Sequence, residues 1–251
     1  MLNIENLHFS YGGSTDVLRG ADLELSQGEV GILLGKNGSG KTTLFKTLLG
    51  LVKPQKGSIA FQGENILKLN RLQRARRIGY VPPDIQFGAL TVFDSVLMGR
   101  ISYFGIRAGK EDYEAVEKLL ADMGLLELAH RNVEELSGGE RQKIAIARAM
   151  AQEPQMMVFD EPTGNLDIAN EQLIIREAKK LAKEKNIAIL ASLHDLNQAL
   201  ALGDKFFFLK DGIVKYAGGR EVFTPEVIKD IFDADVELLE KDGRMVIVNK
   251  F

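Results

Sequence analysis

Gly35-Lys36-Asn37-Gly38-Ser39-Gly40-Lys41-Thr42 sets three glycines, a cation and a hydroxyl at the spacing G-x-x-x-x-G-K-T. Gly35, Gly38 and Gly40 allow the backbone to turn its N–H groups inward around an anion. A helix starting directly after them adds its positive N-terminal end. Lys41 supplies a point charge for the β- and γ-phosphates of a nucleotide, and Thr42 a hydroxyl ligand for Mg²⁺. Asn37, Ser39 and Thr43 complete the set of residues expected against the nucleotide.

A second group of residues carries acids. Met156-Met157-Val158-Phe159-Asp160-Glu161 is an apolar run that ends in two adjacent carboxylates. Parallel sheets meet their ligands at the carboxyl ends of their strands. There Asp160 is placed to hold Mg²⁺ through water, and Glu161 to polarise an attacking water as general base. A third group, Leu136-Ser137-Gly138-Gly139-Glu140-Arg141-Gln142, contains S-x-x-E, a capping box that starts a helix. Helix stability alone does not call for two glycines inside a cap. They expose backbone N–H groups at a helix N-terminus, which suits a second phosphate contact.

Such residues need elements to hold them. Val30–Leu34, Met156–Phe159, Ile187–Leu190 and Phe206–Leu209 are short apolar runs bounded by turn residues or charges, as in strands buried on both faces. Helical stripes lie between them: Leu44, Phe45, Leu48 and Leu49 after the first, and Ile174, Ala178 and Leu181 before the third. This alternation predicts an α/β core with a mostly parallel sheet. Ile4–Phe9, Leu23–Leu25 and Ile59–Phe61 alternate in part, which predicts an N-terminal antiparallel β subdomain. Asp211-Gly212 and Asp242-Gly243 are turn signals between strand-like runs. Thr224-Pro225 opens a short helix, with Thr as N-cap and Pro at the first helical position. From about Asp84 to Ala151 the buried-strand pattern gives way to helical patterns, so 84–151 is expected to be a helical lobe inserted into a single domain whose core is 1–83 and 152–251. Arg71, Arg74, Arg76 and Arg77 read as a solvated helix face.

Composition narrows the function classes. Among 251 residues, 32 Lys and Arg stand against 35 Asp and Glu, a net charge of −3 that argues against nucleic acid as a partner. The absence of cysteine excludes disulfides, zinc–thiolate sites and cysteine nucleophiles. No apolar run approaches the ~18–20 residues that span a bilayer, and Met1–Asn6 does not have the pattern of a signal peptide. A soluble, cytoplasmic protein is therefore expected, with docking on a membrane partner left open.

Together these motifs resemble the ATP-binding cassette of ABC transporters, whose signature is L-S-G-G-[QE], and the resemblance covers nearly the whole chain. It implies a P-loop NTPase core, ATP and Mg²⁺, and two copies of the chain dimerised head to tail. Each ATP would then lie between one copy's phosphate loop and the other's signature. Ser137, Gly138 and Gly139 would contact the γ-phosphate of ATP held by the partner copy. Tyr11 matches the aromatic that stacks on adenine; an edge-strand or core tyrosine is its plain alternative. Pro162–Asp167 resembles the D-loop, with Asp167 its characteristic acid. His194, after the apolar run Ile187–Leu190, matches the switch histidine that senses the γ-phosphate. One departure stands out: Tyr80-Val81-Pro82-Pro83 replaces Tyr-Val-Pro-Gln. The resemblance then implies altered Mg²⁺ coordination or altered coupling to the transport partner, with Gln86, three residues on, as a substitute if the loop is rearranged.

Leu193-His194-Asp195-Leu196-Asn197-Gln198-Ala199, Val96-Leu97-Met98-Gly99-Arg100 and Phe223-Thr224-Pro225-Glu226 are similar to the ATPases of metal-chelate importers. That similarity implies integral membrane permease subunits, a solute-binding protein, and import of an iron–siderophore complex, haem or cobalamin. Thr91–Arg100 would receive a coupling helix of the permease, and Tyr103–Ile106 is either an exposed contact or part of the lobe's interior. Two other classes remain open: a soluble ABC ATPase of the iron–sulfur assembly type, and a nucleotide-gated regulatory module that hydrolyses poorly.

Overall fold

Alternating apolar and polar residues at the N-terminus build antiparallel strands. The computed structural model describes residues 1–12, 15–83, 85–104, 106–164, 166–241 and 243–250. Asp84, Gly105, Asn165 and Asp242, which take part in the expectations above, lie outside them. Strand β1 (Leu2–Tyr11) buries Leu2, Ile4, Leu7 and Phe9 and pairs antiparallel with β2 (Thr15–Leu25). Strand β3 (Val30–Leu34) is buried along its whole length and leads through the glycine-rich loop into helix α1 (Lys41–Leu48). Strand β4 (Lys56–Phe61) returns to pair antiparallel with β1, and the short β5 (Glu64–Asn65) pairs with β4. The expected antiparallel β layer is therefore present.

The chain divides into two compact units, Met1–Leu69 with Ala178–Phe251, and Asn70–Glu177. The second unit extends beyond the stretch 84–151. It begins with helix α2 (Arg71–Ala75), which Asn70 and Gln73 start by a reciprocal capping box, and strand β6 (Ile78–Val81). Three helices follow: α3 (Val92–Leu97), α4 (Lys110–Asp122) and α5 (Gly138–Met150). Their apolar stripes bury Val92, Val96, Val116, Leu120, Ile144 and Ile146. Among the described residues of 85–151 the β structure is one isolated bridge, Thr91 to Asn132. Strand β7 (Met156–Asp160) then runs parallel to β6 and is wholly buried. Helix α6 (Ile168–Lys185) contains the boundary between the units.

The arginine run is not a plain solvated face. Arg76 donates to the Ser102 carbonyl oxygen, and its guanidinium lies 4.6 Å from the centre of the Tyr103 ring. Arg100, in the 3-10 turn after α3, lies 4.5 Å from the same ring. Partial burial also lowers the Arg74 pKa. Arg100 is 7% exposed and donates to Asp112 at 2.9 Å, to the Ala151 carbonyl at 3.2 Å and to Glu153 at 2.7 Å. Tyr103 thus belongs to the lobe's packing, whereas Ile106 is almost fully exposed.

The first unit resumes with β8 (Ala188–Ser192), α7 (Leu196–Leu202) and β9 (Lys205–Lys210). Strand β3 is parallel to β8 on one side and to β9 on the other. The Asp211-Gly212 turn returns the chain as β10 (Ile213–Gly218), antiparallel to β9. Helix α8 (Pro225–Phe232) starts where expected, with Thr224 Oγ1 accepting the Val227 N–H. The C-terminal strands β11 (Val236–Lys241) and β12 (Arg244–Asn249) form a hairpin, and the Asn197 side chain bonds both the N–H and the carbonyl of Ile247. Phe223 packs edge-on against Phe206 and Phe208, at 4.7 and 5.2 Å between ring centres.

Candidate functional site

The phosphate loop owes its shape to close approach. A Cβ built on Gly35 would stand 2.3 Å from the Leu209 carbonyl oxygen, so only glycine lets β3 leave the sheet there. Gly40 has φ +111 and is the N-cap of α1, a backbone that L side chains rarely adopt. The loop closes on itself through the Ser39 N–H on the Lys36 carbonyl, and the Ser39 carbonyl accepts from Gly212. Lys41 is buried, and its ammonium donates to the carbonyls of Gly35 at 2.7 Å and Lys36 at 3.2 Å. Ser39 Oγ is buried without a hydrogen-bond partner, a polar atom of the kind a bound phosphate would satisfy. Asn37, Gly38 and Thr42 are exposed, and Thr43 is buried. Lys36 forms an ion pair with Asp233, the left-handed C-cap of α8, and holds that carboxyl below the usual range.

In the same unit, the parallel pairing Leu33↔Ser192 makes β3 and β8 leave the sheet at the same edge. His194 follows two residues after β8 and is exposed; Asp195 caps α7 by accepting the Gln198 N–H at 2.8 Å. Tyr11 ends β1 and is 46% exposed, its ring edge-on to Phe9 at 4.7 Å. At that exposure the core alternative for this tyrosine does not hold.

The second unit carries the acids. Asp160 is the last residue of β7 and is 4% exposed; Glu161 follows with φ +52. A non-glycine residue in that region is uncommon, and such conformations gather at functional sites. The loop after it is tied by the Gly164 N–H on the Glu161 carbonyl at 3.0 Å. The register Tyr80↔Val158 puts Tyr80 on the same sheet face as Asp160. Burial first, and the Asp160 charge second, push the Tyr80 phenol up to about 12. Pro83 and Gln86 are both exposed.

Ser137 forms the capping box of α5: its Oγ accepts the Glu140 N–H, and Glu140 accepts the Ser137 N–H at 2.9 Å and its hydroxyl at 2.7 Å. These bonds hold the Glu140 carboxyl below its ordinary range. Gly138 is exposed but Gly139 is buried, with the Asn170 side chain against it. Asp167 accepts the Asn170 backbone N–H at 2.8 Å and its Nδ2 at 3.0 Å. The contact of Asn170 with Gly139 joins residues 31 positions apart, and no periodicity in the sequence announces it.

The first unit thus places the residues expected to grip a polyphosphate, and the second places the paired acids and the capped glycine turn. Among the described residues no group of three or more His, Asp or Glu could hold a metal ion. The Thr42 hydroxyl of the first unit and the Asp160 carboxylate of the second are each an oxygen donor of the type that Mg²⁺ takes, alongside phosphates and water.

Comparison with known proteins gives consistent results. The sequence profile of the ABC transporter family matches residues 18–164. An uncharacterised ABC transporter ATP-binding protein of Methanocaldococcus jannaschii is 40% identical over 99% of this chain and 97% of its own length. The iron(3+)-hydroxamate import ATP-binding protein of Bacillus subtilis is 33% identical, over 95% of this chain and 90% of its own. The phosphonates import ATP-binding protein of Wolinella succinogenes is also 33% identical, over 92% and 88%. A metal-chelate type ABC transporter solved in an inward-facing conformation superposes with a TM-score of 0.85 at 30% identity, covering all of this chain and 97% of that one. A dimeric cassette in a post-hydrolysis state, bound to ADP and phosphate, superposes with a TM-score of 0.72 at 29% identity, over 87% and 98%.

Proposed function

Because this chain belongs to the ABC transporter family, as an ATP-binding subunit that hydrolyses ATP, we propose that it powers solute import by closing and reopening a head-to-tail dimer of itself. The observation that carries this reading is the buried Lys41 inside the loop from Gly35 to Thr42, between a fully buried strand and a helix N-terminus. Lys41, with the loop's N–H groups and those of Ser39 and Thr43, holds the β- and γ-phosphates. Gly38 and Asn37 cover them, and Tyr11 stacks on the adenine. Thr42 and Asp160 would hold Mg²⁺, which when bound offsets charge on the phosphate oxygens. Glu161 takes the proton of the attacking water, and His194 donates toward the γ-phosphate. Ser137, Gly138 and Gly139 offer the α5 N-terminus to the nucleotide of the partner copy, and Asp167 faces the dimer seam. Closure of the dimer is the output, passed to permease subunits at the membrane's inner face and fed by a solute-binding protein. Among the described residues no helix is long and apolar enough to cross a membrane, in keeping with docking on separate membrane subunits.

A metal chelate is the solute this reading favours, on the likeness to the metal-chelate type transporter and the hydroxamate-import relative. Phosphonate import is the second reading, because the phosphonate-import relative is equally identical. The enzymatic reading is tested by Mg²⁺-dependent ATP hydrolysis across protein concentrations. The expected rate rises faster than linearly with protein. It falls at least ~100-fold in Glu161→Gln, which still binds ATP. A linear rate, or a variant as active as the parent, would remove the composite dimer site or the role of Glu161.

A further inference from the structure

The capping box of α5 needs Ser137 and Glu140, and nothing in it requires glycine at 139. The need comes from another part of the chain. A Cβ on Gly139 would lie 1.8 Å from Asn170 Oδ1 and 2.3 Å from its Cγ, well inside any nonbonded contact. Asn170 is not free to step aside, because its backbone N–H and its Nδ2 both donate to Asp167. A Cβ on Gly138 would in turn meet Leu166 Cδ2 at 3.5 Å, an ordinary contact. The two glycines therefore sit against the chain that flanks Asp167, Gly138 loosely and Gly139 without clearance.

We propose that Asn170 is a positioning residue, whose side chain holds Asp167 by its amide group and seats Gly139 against its carbonyl. The loop after the acidic pair and the glycine turn of α5 then move as one body. This rests on the reading that Ser137–Gly139 contact a nucleotide. It differs from that reading in its cause: glycine is demanded at 139 by a contact within the chain, not only by the approach of a phosphate.

Steady-state ATPase and thermal melting of the full chain test it with Gly139→Ala, Asn170→Ala and the double variant. Gly139→Ala is expected to lower kcat about tenfold or more, and adding Asn170→Ala to recover a clear part of that loss, several-fold in kcat over Gly139→Ala alone. Asn170→Ala by itself is expected to lower kcat several-fold, with KM for ATP and melting temperature unchanged, since the phosphate loop is untouched. A double variant as slow as Gly139→Ala would overturn the proposal, as would an Asn170→Ala whose kcat is that of the parent or falls only with its melting temperature. A parent chain without ATP hydrolysis would instead sink the functional reading, and the proposal with it.

Discussion

At the scale of single residues, Asp230 gathers more cations than any motif announced. Its carboxylate accepts from Lys215 at 2.6 Å, from Lys210 at 3.0 Å and from the Tyr216 hydroxyl at 3.2 Å. The Lys215 bond, then the Lys210 bond, hold it down to about 2. The folded value lies below the ordinary ~3.9 of an unfolded aspartate. The stability it contributes is therefore present above about pH 4 and lost as pH falls through about 2. Melting temperatures of the parent and Asp230→Asn should differ by a constant amount between about pH 5 and 7, and the gap should close on acidification from about 4 to 2. The phosphate loop was legible because its chemistry is contiguous in sequence. Asp230 was not, since its partners come from two strands and the charge pattern of α8 reads as an ordinary solvated face.

Elements were legible where one local rule decides them. Ser137 and Thr224 cap helices through the side-chain oxygens their types supply, each worth about 1 kcal/mol. Wholly apolar runs became the buried strands β3, β7, β8 and β9. The stretch Thr91–Arg100 was harder. It is expected to receive a coupling helix, and it buries Val92, Ser95, Val96, Gly99 and Arg100 while leaving Asp94 and Met98 exposed. The reason is tertiary: a Cβ on Gly99 would stand 2.1 Å from the Arg148 carbonyl, so the turn after α3 is pressed against α5. Arg100 is thereby drawn into the lobe beside Asp112, with side-chain exposures of 9% and 11%. Arg100→Met keeps the volume but strands the Asp112 charge, and should cost about 3 kcal/mol in denaturant unfolding. Lys36→Met, which breaks a solvent-exposed ion pair, should cost far less. Equal losses in the two variants would show that the Arg100 cluster is effectively solvated.

At the scale of the whole molecule, the order of motifs along the chain carried the family. The boundaries of the compact units depended on packing that no motif encodes, so Asn70–Glu177 takes in two strands besides the helices. The solute is a property of the assembled transporter. With permease and solute-binding protein in vesicles, ATP inside should drive uptake of a labelled ferric hydroxamate, and Glu161→Gln should abolish it; uptake of a phosphonate in its place would decide for the second reading. Glu161 has one further consequence. A left-handed backbone is where glycine is at ease and glutamate is not, a difference on the order of 1 kcal/mol. Under the proposed role of Glu161, sturdiness and turnover pull this position apart: a lineage released from ATP hydrolysis would be expected to drift to glycine there.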